Sequence, residues 1–98
     1  MIVDNRVTVS VVGELDYSTS TQLREALTAA LTIGVGGVAV DFHRVEFCDC
    51  SGLAVLLGAR RRAHMMGISF RVTGPLTPVV ARLLQVTETE SSLLVPTA

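Results

Sequence analysis

Asp49-Cys50-Ser51-Gly52 has the strongest claim to chemistry in this chain of 98 residues. It stands where a loop is expected to give way to a helix. The first backbone N–H groups of a helix have no internal partner, and the helix dipole places partial positive charge there. A serine at such a point serves as an N-cap. The same environment stabilises an anion, so Ser51 could carry a phosphoryl group without unfolding the helix.

Other groupings are weaker. His43, Cys48 and Cys50 would need Asp49 or His64 to complete a zinc site, and no Cys-x-x-Cys pair supports one, so neither a metal nor another cofactor is expected. Serine hydrolysis fails on spacing. A nucleophile elbow has glycine two residues to either side of the serine, and here Asp49 and Leu53 hold those places. Gly36-Gly37 lacks a following Lys-Ser/Thr and is not a phosphate loop. Cys48 and Cys50 are too close in sequence to reach disulfide geometry. A thiol enzyme built on either is the weakest reading. Arg60, Arg61 and Arg62 fall near a helix C-terminus, where cations suit the dipole.

The elements that must position Ser51 follow from periodicity. Val7-Thr8-Val9-Ser10-Val11-Val12 is β-branched and alternating, a strand ended by Gly13. Ile2 and Val3 predict a short antiparallel strand before it, with Asp4-Asn5 as the turn. Leu23, Ala26, Leu27, Ala30 and Leu31 form a helical stripe. Thr19 with Gln22 predicts its capping box, and Gly34 its left-handed terminus. Val38–Phe42 reads as a buried central strand, and residues 45–52 as a strand-end loop into a second helix that stops at Gly67. Residues 68–72 form another strand. Thr77 at N-cap and Pro78 at N1 open a third helix with Val79, Val80, Leu83 and Leu84 as its stripe. Leu93-Leu94-Val95 predicts a final edge strand. The expected fold is a single α/β domain over residues 1–98, with a mixed, mostly parallel sheet of four to five strands, right-handed crossovers and about three helices.

Composition narrows the function. Apolar residues make up 49% and charged residues 17%, which argues against disorder. A net charge of −1 and only four aromatic residues (three Phe, one Tyr) leave little to hold nucleic acid. No apolar run reaches membrane-spanning length and no leader pattern opens the chain, so a cytoplasmic protein without a membrane role is expected. Leu53, Ala54, Val55, Leu56, Leu57 and Ala59 make the second helix apolar nearly all round. The sheet can cover only one face, which predicts an exposed apolar face beside Ser51 and a protein partner.

The run Phe47-Cys48-Asp49-Cys50-Ser51-Gly52-Leu53-Ala54-Val55-Leu56 resembles the signature loop and helix of STAS domains, specifically the bacterial anti-sigma factor antagonists. Gly13-Glu14-Leu15-Asp16 followed by Leu23-Arg24-Glu25-Ala26-Leu27 is similar to the family's first motif, and Val79-Val80-Ala81-Arg82-Leu83-Leu84 is a weaker third match. The resemblance covers nearly the whole chain. Cys50 departs from the family's usual Ser or Thr, and Glu88 from a glycine. The resemblance implies a non-enzymatic, stand-alone binding module with Ser51 as phosphoacceptor. Its implied partners are an anti-sigma factor that is a serine kinase of histidine-kinase-like ATPase fold, and a metal-dependent phosphatase. The unmodified form would bind the anti-sigma factor and free a sigma factor, and phosphorylation would end binding. Asp16, Asp49, Cys50, Gly52, Leu53 and Val55 are the expected partner-binding residues, Asp16 and Asp49 being equally readable as loop or turn-capping groups. The alternative is a STAS subunit of a lipid-transport ATPase complex with no phosphorylation cycle.

Overall fold

The computed structural model describes residues 2–3, 5–33 and 36–94. In chain order they form β1 (Ile2–Val3), β2 (Arg6–Leu15), α1 (Tyr17–Thr32), β3 (Gly37–Cys48), α2 (Cys50–Met65), β4 (Ser69–Thr73), α3 (Pro78–Val86) and α4 (Glu90–Leu93). The sheet runs β1-β2-β3-β4, with β1 antiparallel to β2 and the other neighbours parallel. This is the expected α/β architecture with a short fourth helix added. Val3 pairs with Arg6, and Asn5 in the turn takes a φ of 63°, which asparagine tolerates. Asp4, the other expected turn residue, lies outside the described residues, as does Gly34.

Strict alternation along β2 turns Val7, Val9, Val11 and Leu15 inward and Thr8, Ser10, Val12 and Glu14 outward. Val7 and Val9 sit opposite Val38 and Val40, which sit opposite Phe70 and Val72. These side chains share one face and one core with Leu23 and Leu27 of α1, Leu53, Val55 and Leu56 of α2, Val80 of α3 and Leu93 of α4. Fully burying an aliphatic or phenyl side chain of this kind contributes about 1.5–3 kcal/mol. The other face of the sheet stays polar and open, with Asp41, Arg71 and Thr73 only half-buried on it.

Several expectations are corrected. β3 does not end at Phe42 but continues to Cys48. It does so by carrying an extra residue against β2 twice, between Asp41 and Arg44 and between Val45 and Phe47. Those irregularities break the period of two, so Val45 and Cys48 point inward three residues apart and the stretch reads as loop. Leu93 closes α4 rather than opening a strand. Its partner in that expectation, Val95, is outside the described residues. The capping box of α1 is Asp16 with Thr19, not Thr19 with Gln22, because the helix begins directly after β2. Ala26 is exposed rather than part of the buried stripe, and Val79 is likewise exposed on α3. Pro78 does open α3 behind Thr77, but the Thr77 hydroxyl donates to the Val45 carbonyl at 3.3 Å instead of capping. Gly67 ends α2 as expected. Its φ is 71°, and the Gly67 and Ile68 amides return to the carbonyls of His64 and Ala63 at 3.2 and 2.8 Å, a Schellman closure.

Candidate functional site

β2 and β3 end side by side. Leu15 pairs with Cys48, and the Asp49 amide donates to the Leu15 carbonyl at 3.0 Å. Each strand hands over at once to a helix through a single aspartate, Asp16 for α1 and Asp49 for α2. The two helix N-termini therefore emerge together at the carboxyl ends of parallel strands, the usual place for function in open α/β sheets.

Ser51 is not the N-cap that its sequence setting suggests. Asp49 is the cap, with extended backbone, and Ser51 is the second residue of the helix. One carboxylate oxygen, Asp49 Oδ1, accepts three donors: the Ser51 hydroxyl at 2.5 Å, the Ser51 amide at 2.9 Å and the Gly52 amide at 3.3 Å. The half-buried Ser51 hydroxyl is thus held in one orientation at the surface. The Ser51 hydroxyl foremost, and then the Gly52 and Ser51 amides, hold the Asp49 carboxyl below its usual value, partly opposed by desolvation and by the nearby Asp16 charge. Asp16 is lowered in the same way, first by the Ser18 hydroxyl and then by the Thr19 amide. Both carboxylates cap helices.

Gly52 is buried under α2's first turn. A Cβ there would lie 3.0 Å from Cys48 Sγ and 3.2 Å from Leu15 Cβ, tighter than ordinary contact. Only glycine lets the helix start this close to both strand ends. Cys48 is buried, with its thiol donating to the Asp49 carbonyl at 3.5 Å. Burial, and then the charges of Asp49 and Cys50, push that thiol up to about 11, so it stays protonated and is no nucleophile near neutral pH. Cys50 is exposed, and both cysteines are free.

The expected exposed apolar face of α2 is reduced to small residues, Ala54 and Gly58. Leu53, Val55 and Ala59 are 6%, 4% and 0% exposed. The chain does have a second layer to cover the helix. α1 lies against it, joined through Arg62 Nη1 to Thr28 Oγ1 at 3.0 Å, and α4 lies on another side, joined through Arg60 Nε to the Ser92 carbonyl at 2.7 Å. Arg60 and Arg62 are therefore inter-helix ties. The Leu53 and Val55 side chains cannot offer surface to a partner as they stand. The outward residues near Ser51 are Cys50, Ala54 and Gly58.

Two exposed aromatics at this end carried no signal in the periodicity. Tyr17, the first residue of α1, is 84% exposed, and Phe47, two residues before Asp49, is 42% exposed, whereas Phe42 and Phe70 are in the core. The position of Phe47 became readable only once β3 was seen to continue past its bulges. Among the described residues no cluster of three or more His, Cys, Asp or Glu could hold a metal. His43 lies on the open face, its Nδ1 2.7 Å from Asp41 Oδ1, while Cys48 points inward. A groove of about 210 Å³ between β2 and α1, lined by Val9, Val11, Leu15, Leu23 and Ala26 among others, is smaller than the ~300–1,000 Å³ of ordinary small-molecule sites. No described helix is long and apolar enough to cross a membrane.

The STAS_2 family model, described as Mlab, STAS domain, matches residues 2–96. An anti-sigma factor antagonist from Mycobacterium paratuberculosis superposes with a TM-score of 0.85 at 25% identity, over 95% of this chain and 78% of that one. The anti-sigma factor antagonist SpoIIAA in its unphosphorylated form shares the fold, with a TM-score of 0.79 at 23% identity over 96% of this chain and 83% of the other. So does the Bacillus cell fate determinant SpoIIAA in its phosphorylated form, with a TM-score of 0.71 at 24% identity over 96% and 85%. With motifs, fold and a family model spanning nearly its whole length in agreement, the chain belongs to the STAS-domain family.

Proposed function

We propose that this protein is an anti-sigma factor antagonist that binds its anti-sigma factor when Ser51 is unmodified and lets go when Ser51 is phosphorylated. One observation carries the reading. Ser51 presents a fixed hydroxyl on the first turn of α2, at the corner where both strand–helix junctions reach the surface, in a fold that matches an anti-sigma factor antagonist at a TM-score of 0.85. Phosphorylation would add about −1.5 to −2 charge at that corner. At a docked surface this charge loses water without gaining a dedicated partner, at a cost of several kcal/mol. Each ~1.4 kcal/mol is tenfold in affinity, so binding falls by at least about a hundredfold.

The partner is an anti-sigma factor of ATPase fold that doubles as the serine kinase, with a metal-dependent phosphatase restoring the hydroxyl. The partner-facing groups are Asp16, Asp49 and Cys50, with Tyr17, Phe47 and Ala54 as the neighbouring surface in place of Gly52, Leu53 and Val55, which are buried. Aromatic side chains are the commonest anchors in such interfaces. A pull-down with unmodified protein tests the assignment. Recovery of a soluble ATPase-fold protein, lost when Ser51 carries phosphate, is the expected result. Recovery of a membrane ATPase, indifferent to Ser51, would instead make the chain a STAS subunit of a lipid-transport complex.

A further inference from the structure

We propose that phosphorylation of Ser51 expels Asp49 from the cap of α2, so that the switch signals by displacing a carboxylate as well as by adding a phosphate. The proposal rests on the reading of Ser51 as the phosphoacceptor. In the unmodified protein the anion position at this helix end is already filled. Asp49 Oδ1 accepts both forward amides, of Ser51 and Gly52, and the Ser51 hydroxyl as well.

Phosphoryl transfer from a nucleoside triphosphate forms the Oγ–P bond. It breaks the bond from the terminal phosphorus to the bridging oxygen, releases the nucleoside diphosphate, and loses the hydroxyl proton to solvent. The Oγ–H donor is then gone. An ester oxygen bearing a near-dianion would face the carboxylate across a 2.5 Å contact that had been a hydrogen bond. Among the described residues no arginine pairs with Asp49, and the charge that acts on it is that of Asp16, of the same sign. The phosphoryl group, with three strong acceptors and the larger charge, outcompetes a single carboxylate for the two amides. Among the described residues the Asp49 side chain makes no hydrogen bond or ion pair besides the cap, so the displaced carboxylate turns to solvent. Asp16 provides an internal reference. It makes the same bonds to Ser18 and Thr19, with the Ser18 hydroxyl at 2.7 Å, and keeps them in both states.

The test uses the full chain with phosphoserine placed at position 51 during translation, so that no kinase is needed. Side-chain carboxyl carbons and backbone amides are followed by NMR across pH in the phosphorylated and unmodified proteins. In the unmodified protein Asp49 titrates below the ordinary aspartate value of 3.8. After phosphorylation its midpoint is expected to rise to that value or above it, while Asp16 stays below. The Ser51 and Gly52 amides are expected to shift with the phosphate's second ionisation, near pH 6. An Asp49 midpoint still depressed in the phosphorylated protein, with amides indifferent to the phosphate, overturns the proposal. Failure of Ser51 to be a kinase substrate would appear separately, as absence of label transfer from ATP to the wild-type chain.

Discussion

The N-termini of α1 and α2 begin with the same local sequence logic and end in different places. Asp16-Tyr17-Ser18 and Asp49-Cys50-Ser51 both put a capping aspartate two residues before a serine, and in both the serine's amide and hydroxyl donate to that aspartate. The third helical residue separates them. In α1 it is Thr19, whose hydroxyl also accepts the Asp16 amide at 2.9 Å and completes a reciprocal box. In α2 it is Gly52, which has no side chain to return and instead lets the helix press on Cys48 and Leu15. One end is locked by its own side chains and stands in solvent. The other is locked by the sheet beneath it. An Asp-x-Ser start is therefore a helix cap first, and the packing under α2 is what sets Ser51 apart from Ser18.

The largest effect that could break this contrast comes from a charge at the sixth helical position. Val55 of α2 is buried, while the matching Gln22 of α1 is exposed. Val55→Glu should abolish cooperative folding, since an unpaired buried carboxylate costs several kcal/mol, whereas Gln22→Glu should leave the thermal transition nearly unchanged. Thermal melts followed by circular dichroism check this, and a folded Val55→Glu protein would mean that α2 is not packed as described.

At the third helical position, Gly52→Ala forces a methyl against Cys48 and Leu15 and should destabilise by about 1–3 kcal/mol. Gly58→Ala, six residues further along α2 where a Cβ meets open space, should stabilise by about 0.5–1 kcal/mol. Urea titration of the pair measures the sheet's grip on the start of α2. If both alanines stabilise, Gly52 is not held by packing. In α1, Thr19→Gly should cost about 1 kcal/mol through loss of the box.

The smallest effect is in acid. Both capping carboxyls titrate below the ordinary value of 3.8, so each contributes stability that is full above that value and is lost as pH falls through its lower folded-state midpoint. The melting temperature of the wild type should therefore decline more steeply below about pH 4 than that of Asp16→Asn or Asp49→Asn, which keep an acceptor but cannot be protonated there. Equal slopes would remove the carboxylates from the account.

Much of this fold was legible because its signals are local. The alternation of Val7–Val12, the stripe of Leu23, Leu27, Ala30 and Leu31, the stop at Gly67 and the start at Thr77-Pro78 need no knowledge of distant residues. What was lost depended on contacts far apart in sequence. Residues 45–48 looked like loop because bulges against β2 break their period. Leu53, Val55 and Ala59 looked partly exposed because sequence does not reveal that α1 and α4 wrap the helix. The position of Ser51 was readable at the level of the motif. Its true place, one residue past the first helical position under an aspartate cap, depended on where β3 ended, which the bulges concealed.

The central claim is that Ser51 in its hydroxyl form permits binding and in its phosphorylated form forbids it. Calorimetric titration of the cognate anti-sigma factor with unmodified and fully Ser51-phosphorylated protein tests it most directly. A loss of affinity of at least about a hundredfold on phosphorylation is predicted, with Ser51→Ala binding like the unmodified form and Ser18→Ala remaining switchable. Equal affinity of the two forms would contradict the account.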